Sequence, residues 1–514
     1  MFSRSTRYCF AAFCLVSLTC SNAFATSHNG TVEEVSADDN SVTIKLTGKA
    51  DDSKTFTLAP KAVITIDGKK GTLADIEEGQ SVVIVANAAD VATKLTLKSA
   101  KNPVAKKSSS RTAKEGDISS AIPTGSEDGY WPQHRGLNRD NISSEKGLLE
   151  QWPEGGPKLA WQQSGLGEGY SSVSVAHNRL FTMGNQGDEE MLLAMDSKTG
   201  KPLWSTKTGG AAYREGQGNG PRGTPSIDGD RVYALGASGD LVCVSSNNGE
   251  VIWQKNILSE YGGKNIVWGI SESVLIDGKN LICSPGGSLA TMVAIDKMTG
   301  RTVWQSEVQG APQAAYSSPI VVEYQGERMY LNYVHTAVVA IRAKDGNVLW
   351  GHPQSANGTA NCSTPVAVDG LVFTASGYGT GGALFKLQKG GKAKLEYSTK
   401  EMVNHHGGMV VTDGYLYGFD EQILKCLELK SGKVQWKDRS VGKGSLTLAD
   451  GHLYLRSENG PVALCVATSK GYTERGRFDP PNRSDKPAWS HPVVCGGRLF
   501  LRDMDSIIVY DVHH

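Results

Sequence analysis

Several signatures that would announce a function are missing from this 514-residue chain. Lysine plus arginine and aspartate plus glutamate both number 53, so there is no net charge, and a polyanion binder, which needs a cationic excess, is not expected. The longest apolar run, YCFAAFCLVSLT near the N-terminus, falls short of the ~20 residues that span a bilayer. The cysteines form no CxxC, no CxxCH haem site and no adjacent pair. HExxH and G-x-S-x-G are absent. SGYGTGG (376–382) is glycine-rich but opens no helix, so it does not read as a phosphate cradle.

Glycine, by contrast, is plentiful, at 60 residues, which suits many short strands joined by tight turns. The chain begins with Arg4 and Arg7, the apolar run, and AFA at 23–25, the pattern of an export signal cleaved near Ala25. A secreted or periplasmic protein is therefore expected. Cys20 follows a Ser17-Leu18-Thr19 stretch that fits a lipid-attachment site poorly. Once Cys9, Cys14 and Cys20 leave with the signal, six cysteines remain: Cys243, Cys283, Cys362, Cys426, Cys465 and Cys495. Several sit inside apolar strands, so buried thiols are expected rather than a disulfide framework.

Residues 26–100 alternate apolar and polar in short runs such as SVTIKLTG and SVVIVA, which predicts a small all-β module, a barrel or sandwich. Residues 101–128 are rich in Ser, Lys and Gly without apolar periodicity and predict a flexible linker. From 129 to 514 the chain repeats itself. DSKTGKPLW, SNNGEVIW, DKMTGRTVW, AKDGNVLW and KSGKVQW each join an apolar strand, a turn ending in Gly and a strand ending in Trp. With degenerate copies and the unpartnered GPKLAW, the anchors are Trp161, Trp204, Trp253, Trp304, Trp350, Tyr397, Trp436 and Phe478, spaced 39 to 51 residues apart.

Between anchors, hairpins such as SIDGDRVYAL and VTDGYLYGF recur, with Asp-Gly suited to the positive-φ turn positions. Each period thus holds four antiparallel strands, one propeller blade. The last period supplies only three strands before the chain stops. GPKLAW is the strand left over to complete it, which predicts an all-β, eight-bladed propeller closed by an N-terminal strand.

The repeat phrase D-x-x-T-G-K/R-x-x-W resembles that of the pyrroloquinoline-quinone (PQQ) repeat family, and WPQHRGLNRD, GEGYSSVSV and NHHGGMVV resemble its secreted, polyvinyl-alcohol-dehydrogenase-like members. The family contains both quinoprotein alcohol dehydrogenases and a non-enzymatic subunit of outer-membrane protein assembly. In the dehydrogenases the resemblance implies PQQ between an indole and a vicinal disulfide, above calcium and an Asp base. This chain has no adjacent cysteines and no motif matching the calcium ligands or the base.

In a propeller, the loops leading into the innermost strands surround one mouth of the channel. Those loops carry the candidate ligand-binding residues Tyr170, Arg222, Trp268, Tyr316, Asn361, His405, His406 and His491, with Tyr213, Lys443 and Trp489 nearby and Tyr378 on a second loop. Aromatic, cationic and histidine side chains at a funnel suit an anionic or polyhydroxylated ligand or a peptide segment. Strand alternation should send His405 and His406 to opposite faces, so no metal site is expected from them. The repeat tryptophans are read as structural, each flat ring buried between blades. Two functions follow: a non-catalytic binding or assembly protein, holding a protein or glycan at its funnel face, or a PQQ- and calcium-dependent dehydrogenase of alcohols or polyols.

Overall fold

The structure, a computed structural model, describes residues 26–36, 40–46, 53–66, 69–76, 80–87, 90–98 and 129–514, the last without 216, 217 and 311. The export signal expected at 1–25 and the linker expected at 101–128 lie outside the described residues. The chain divides into two compact units, Met1–Ser119 and Ser120–His514. No helix among the described residues is long and apolar enough to cross a membrane.

The first unit is a small barrel. Thr26–Ser36 pairs with Ser41–Leu46 and Ser81–Ala86, Ser53–Ile66 pairs with Ser41–Leu46 and Val91–Lys98, and Ser81–Ala86 pairs with Val91–Lys98. Every one of these five strands has two neighbours, so the five close into a barrel, and only the short Lys69–Gly71, paired to Ser53–Ile66 alone, hangs off it. The alternation read in the sequence supplies the core: Val42, Ile44, Phe56, Ile84 and Leu95 are fully buried at 0 % exposure while the residues between them face out.

The second unit is the eight-bladed propeller. Its blades, numbered by their innermost strands, begin at Ser174–Ala176, Ser226–Asp228, Leu275–Asp277, Ile320–Tyr324, Val366–Val368, Met409–Thr412, Gly444–Ala449 and Val493–Cys495. Each is an antiparallel meander of four strands from channel to rim. Blade 8 receives its outer strand from Lys158–Gln163, which pairs antiparallel with Ser506–Asp511 and sets Trp161 opposite Val509. The closure expected from the leftover GPKLAW strand is what the structure contains.

The repeat phrase has a physical explanation in how neighbouring blades meet. The outer-strand aromatic of one blade lies on the turn glycine of the next, so close that a Cβ there would collide with the ring: Trp161 on Gly200, Trp204 on Gly249, Trp253 on Gly300, Trp304 on Gly346 and Tyr397 on Gly432. Trp204, Trp253, Trp304 and Trp436 also donate Nε1 to a carbonyl of the following blade, those of Ser246, Lys297, Ala343 and Thr468. Phe478 lies on Gly156, ahead of the closing strand, so the same contact completes the circle. The leading Asp holds the turn: Asp196 Oδ1 accepts the amides of Lys198 and Thr199 and the Thr199 hydroxyl, and Asp296 does the same for Met298 and Thr299. Trp350 departs from the pattern. Its Nε1 has no partner among the described residues, and the degenerate turn beside it presents Gly391 to Leu349 instead.

The six cysteines are free, five of them buried and Cys362 half-buried. The buried five fill strand positions in the blade cores, as small apolar side chains would.

Candidate functional site

The channel is floored by the chain's own segment 131–145, whose bonds run to the inner strands of six blades or to the residues flanking them. Trp131 exchanges two backbone hydrogen bonds with Val175 of blade 1, and the Pro132 carbonyl accepts from Ile227 of blade 2. Arg139 donates to the carbonyls of Ser273 (2.6 Å) and Val274 (2.9 Å) at blade 3, and Arg135 to that of Met409 (2.6 Å) in blade 6. Asn141 Nδ2 donates to the Leu446 carbonyl at 2.7 Å, and Ile142–Ser143 adds a short parallel strand inside blade 7. Glu145 accepts the Gly496 and Gly497 amides of blade 8.

Inner strands of a propeller present unpaired backbone groups to the channel, and this segment satisfies them. It turns tightly: Arg135, Arg139 and Asn141 all take positive φ, at 64°, 58° and 63°. Non-glycine residues rarely adopt that conformation, and here buried hydrogen bonds hold it. Gly408, the second glycine of NHHGG, has φ 69° where a Cβ would lie 2.7 Å from Arg135 Nη1 and 2.8 Å from His491 Cε1. The glycine makes room for the floor.

Above this floor opens a cavity of about 210 Å³, lined by the loops leading into the inner strands, the Tyr378 loop, and His134 from the floor itself. Of the expected residues, Tyr170, Arg222, Trp268, Tyr316, His405, His406 and His491 all line it. Asn361 does not. It is 1 % exposed, and its amide is taken up by the carbonyls of His335 and Asn357 and the Asn357 amide proton, so it staples its own loop while the neighbouring Cys362 lines the cavity. The opposite-face expectation for His405 and His406 also fails. Both precede the strand that begins at Met409, in a bend where period-two alternation does not operate, and their rings meet edge to face at 5.1 Å.

The rings form a nearly continuous collar. Trp489 stacks on Tyr170 at 4.4 Å and 30°, and the Arg222 guanidinium lies 5.6 Å from the Tyr170 ring centre and 5.2 Å from that of Tyr213. Tyr213 donates to the Val267 carbonyl, and Trp268 meets Tyr316 at 5.5 Å. On the other side Tyr378 meets His405 at 4.9 Å, and His406 lies 6.0 Å from Trp489. Trp489 is held by its Nε1 bond to Glu458, which also pairs with Lys443.

Every histidine here is held neutral. Burial pushes His405 and His491 down to about 4 and His134 and His406 well below their ordinary value, with Lys443 or the floor arginines adding to it. His491 has a fixed role: its Nδ1 accepts from Asn141 at 2.9 Å and its Nε2 donates to the His406 carbonyl at 2.8 Å, tying floor to wall. With both nitrogens engaged it has none left for a ligand. His134 and Cys362 were not singled out from the sequence: Cys362 sits in no distinguishing motif, and WPQHRGLNRD, which holds His134, precedes the first blade, so only the fold carries it into the channel. Arg456 and Arg502, buried at 3 % and 2 %, do not line the cavity: Arg456 donates to the Ser490 carbonyl and Arg502 to those of Gly167 and Met183.

Likenesses to known proteins point two ways. The curated outer membrane protein assembly factor BamB of Yersinia pestis is 24 % identical over 381 residues, covering 67 % of this chain and 86 % of its own length. The same-named protein of Shewanella oneidensis is 25 % identical over 43 % of this chain and 52 % of its own length. Among solved structures, BamB from Moraxella catarrhalis superposes with TM-score 0.51 at 14 % identity, covering 69 % of this chain and 98 % of its own. A quinohemoprotein alcohol dehydrogenase from Comamonas testosteroni superposes with TM-score 0.54 at 11 % identity, covering 74 % and 80 %. Likenesses this distant report the shared fold.

A quinone seated over calcium is the group that the dehydrogenase side of this fold implies. Calcium takes six to eight hard oxygen ligands, carboxylates chief among them. Among the described residues no Asp or Glu lines the cavity, which offers imidazoles, hydroxyls, a thiol and one guanidinium. That donor set does not fit the group. The family model described as "Outer membrane protein assembly factor BamB" matches residues 142–284 and 267–438, more than half of the chain, and the eight repeats close as its propeller should. The chain belongs to this PQQ-repeat β-propeller family.

Proposed function

We propose that this protein is a non-catalytic binding and assembly propeller of the cell envelope, exported by its N-terminal segment, which holds a partner protein at its funnel face. The observation that carries this reading is the make-up of the funnel: a collar of aromatic rings and hydroxyls around a floored cavity, with neutral histidines and no carboxylate to serve as calcium ligand or base. Such a surface offers stacking and hydrogen-bond donors, and imidazoles that burial makes weak proton acceptors. Relatives named as outer membrane protein assembly factors support the same reading.

A photo-reactive amino acid placed at Tyr378, 48 % exposed on the funnel rim, tests it in cells that export the chain. A discrete covalent adduct with another envelope protein is expected. The same probe at Asp230, exposed in a hairpin turn of blade 2, should give none. Absence of any adduct from position 378, or dye reduction by purified chain loaded with PQQ and calcium, would overturn the proposal.

A further inference from the structure

The cavity has an excess of hydrogen-bond donors. Ser273 Oγ accepts the Thr224 amide at 2.8 Å and Ser318 Oγ accepts the Ser273 amide at 2.9 Å, so each of these lining hydroxyls has its own proton left to donate. Among the described residues the Tyr170 hydroxyl, on a side chain only 6 % exposed, has no partner, and neither has His406 Nε2. Arg222 gives two nitrogens to the carbonyls of Gly218 and Gly220, which fix its position against Tyr170 and Tyr213, yet it forms no ion pair with a described residue.

Charge is unbalanced in the same direction. Arg135 and Arg139 in the floor are each 2 % exposed and bond to carbonyl oxygens and the Gln133 side chain, and among the described residues Arg135 Nη1 and Arg139 Nε find no partner. Asp140 and Glu272 favour their charge from nearby without forming an ion pair with them, and a buried guanidinium held without an ion pair is an expensive arrangement. What the cavity lacks is an acceptor-rich, negatively charged group. A neutral sugar brings a donor with each of its acceptors and would leave the excess in place. A carboxylate brings four lone-pair sites and no donor. About 210 Å³ is room for one side chain or one chain terminus, not for a folded element.

We propose that the funnel cavity is a carboxylate socket for a partner polypeptide: one acidic side chain, or the chain's terminal carboxylate, sits against Arg222 and the Ser273 and Ser318 hydroxyls, with its stem between Tyr170, Trp268 and Tyr316. This rests on the binding function proposed above and names the chemistry its partner must present.

Isothermal titration of the full chain with four probes tests it. The probes are the blocked peptides Ac-Ala-Glu-Ala-amide and Ac-Ala-Gln-Ala-amide, the peptide acid Ac-Ala-Gln-Ala-OH, and glucuronate. At least one of the two carboxylate peptides should bind about tenfold or more tighter than the neutral amide, as charge-assisted hydrogen bonds require, and which one does so identifies side chain or terminus. The advantage should shrink in high salt and vanish in Arg222→Met. Should Arg222→Met fail to fold, the comparison between charged and neutral peptides on the unaltered chain decides, with Ser318→Ala as the second variant.

Equal binding of all three peptides, an advantage that survives in Arg222→Met, or binding of glucuronate alone would each overturn the socket. Peptides that fail while the Tyr378 adduct still forms sink the socket and leave the partner reading standing. Peptides that bind while no adduct forms at Tyr378 leave an anion site and sink the partner protein.

Discussion

Replacing the turn glycines of blade 2 separates the repeat's two reasons for having glycine there. Gly249 has φ 74°, and a Cβ on it would stand 2.5 Å from Trp204 Cε3 and 2.6 Å from Thr206 Oγ1. Gly229, in the Asp-Gly hairpin of the same blade, has φ 58° but nothing within 4 Å of its Cβ position. Gly229→Ala therefore meets only the left-handed backbone penalty, about 1 kcal/mol. Gly249→Ala meets that penalty and must also push the indole off its seat. The displacement strains the packing by roughly 1–3 kcal/mol. It also breaks the Trp204 bond to Ser246, worth about 1 kcal/mol. Gly249→Ala should thus be at least ~2 kcal/mol more destabilising than Gly229→Ala. Urea unfolding followed by tryptophan fluorescence reads this cleanly, because all ten tryptophans lie at or beyond Trp131, in the propeller unit, and the small barrel is silent. Two variants equal within about 0.5 kcal/mol at unchanged m-value would refute the seat as an energetic contact.

Three further outcomes are expected. Glu190, 1 % exposed between blades 1 and 2, is pushed up to about 7 chiefly by burial against an ordinary 4.5; a raised folded pKa gives stability present below 4.5 and lost as pH rises through 7. Glu190→Gln should therefore gain on the parent chain between pH 5 and pH 8, by up to ~3 kcal/mol, and a pH-independent difference in unfolding free energy would refute it. Asn141→Gly keeps the positive φ but removes the bonds to Leu446 and His491, so it should lower stability by about 2 kcal/mol and raise the His491 titration seen by nitrogen NMR; an unmoved His491 would show that the floor does not hold it. Trp161→Ala, on the closing strand, should cost about 3–5 kcal/mol, as loss of a packed aromatic does, whereas a change below ~1 kcal/mol in urea would mean the ring does not depend on that seat.

The funnel residues were legible in unequal measure. Repeat phasing put Tyr170, Arg222, Trp268, Tyr316, His405, His406 and His491 ahead of inner strands, and that suffices to bring them to one mouth. Phasing says nothing about which way a loop side chain turns. Asn361, with a backbone carbonyl and amide in reach, folds back on its own loop, and Cys362 takes the lining position. The His405 and His406 expectation borrowed a strand rule for a bend that lies three and four residues ahead of the strand. His134 was invisible for a different reason: its segment precedes the first blade, and only the closed ring creates the channel it enters.

By itself the sequence determined the propeller, its blade number and its closure, because those follow from local periodicity, turn glycines and a count of strands, all read along the chain. The seven of eight funnel candidates come from the same phasing. Only the tertiary structure decided that the channel has a floor, that two buried arginines in it form no ion pair among the described residues, and that His491 is a tie rather than a free ligand. Those facts depend on contacts between residues far apart in sequence, such as Asn141 and His491, 350 positions apart, whose meeting no local pattern encodes.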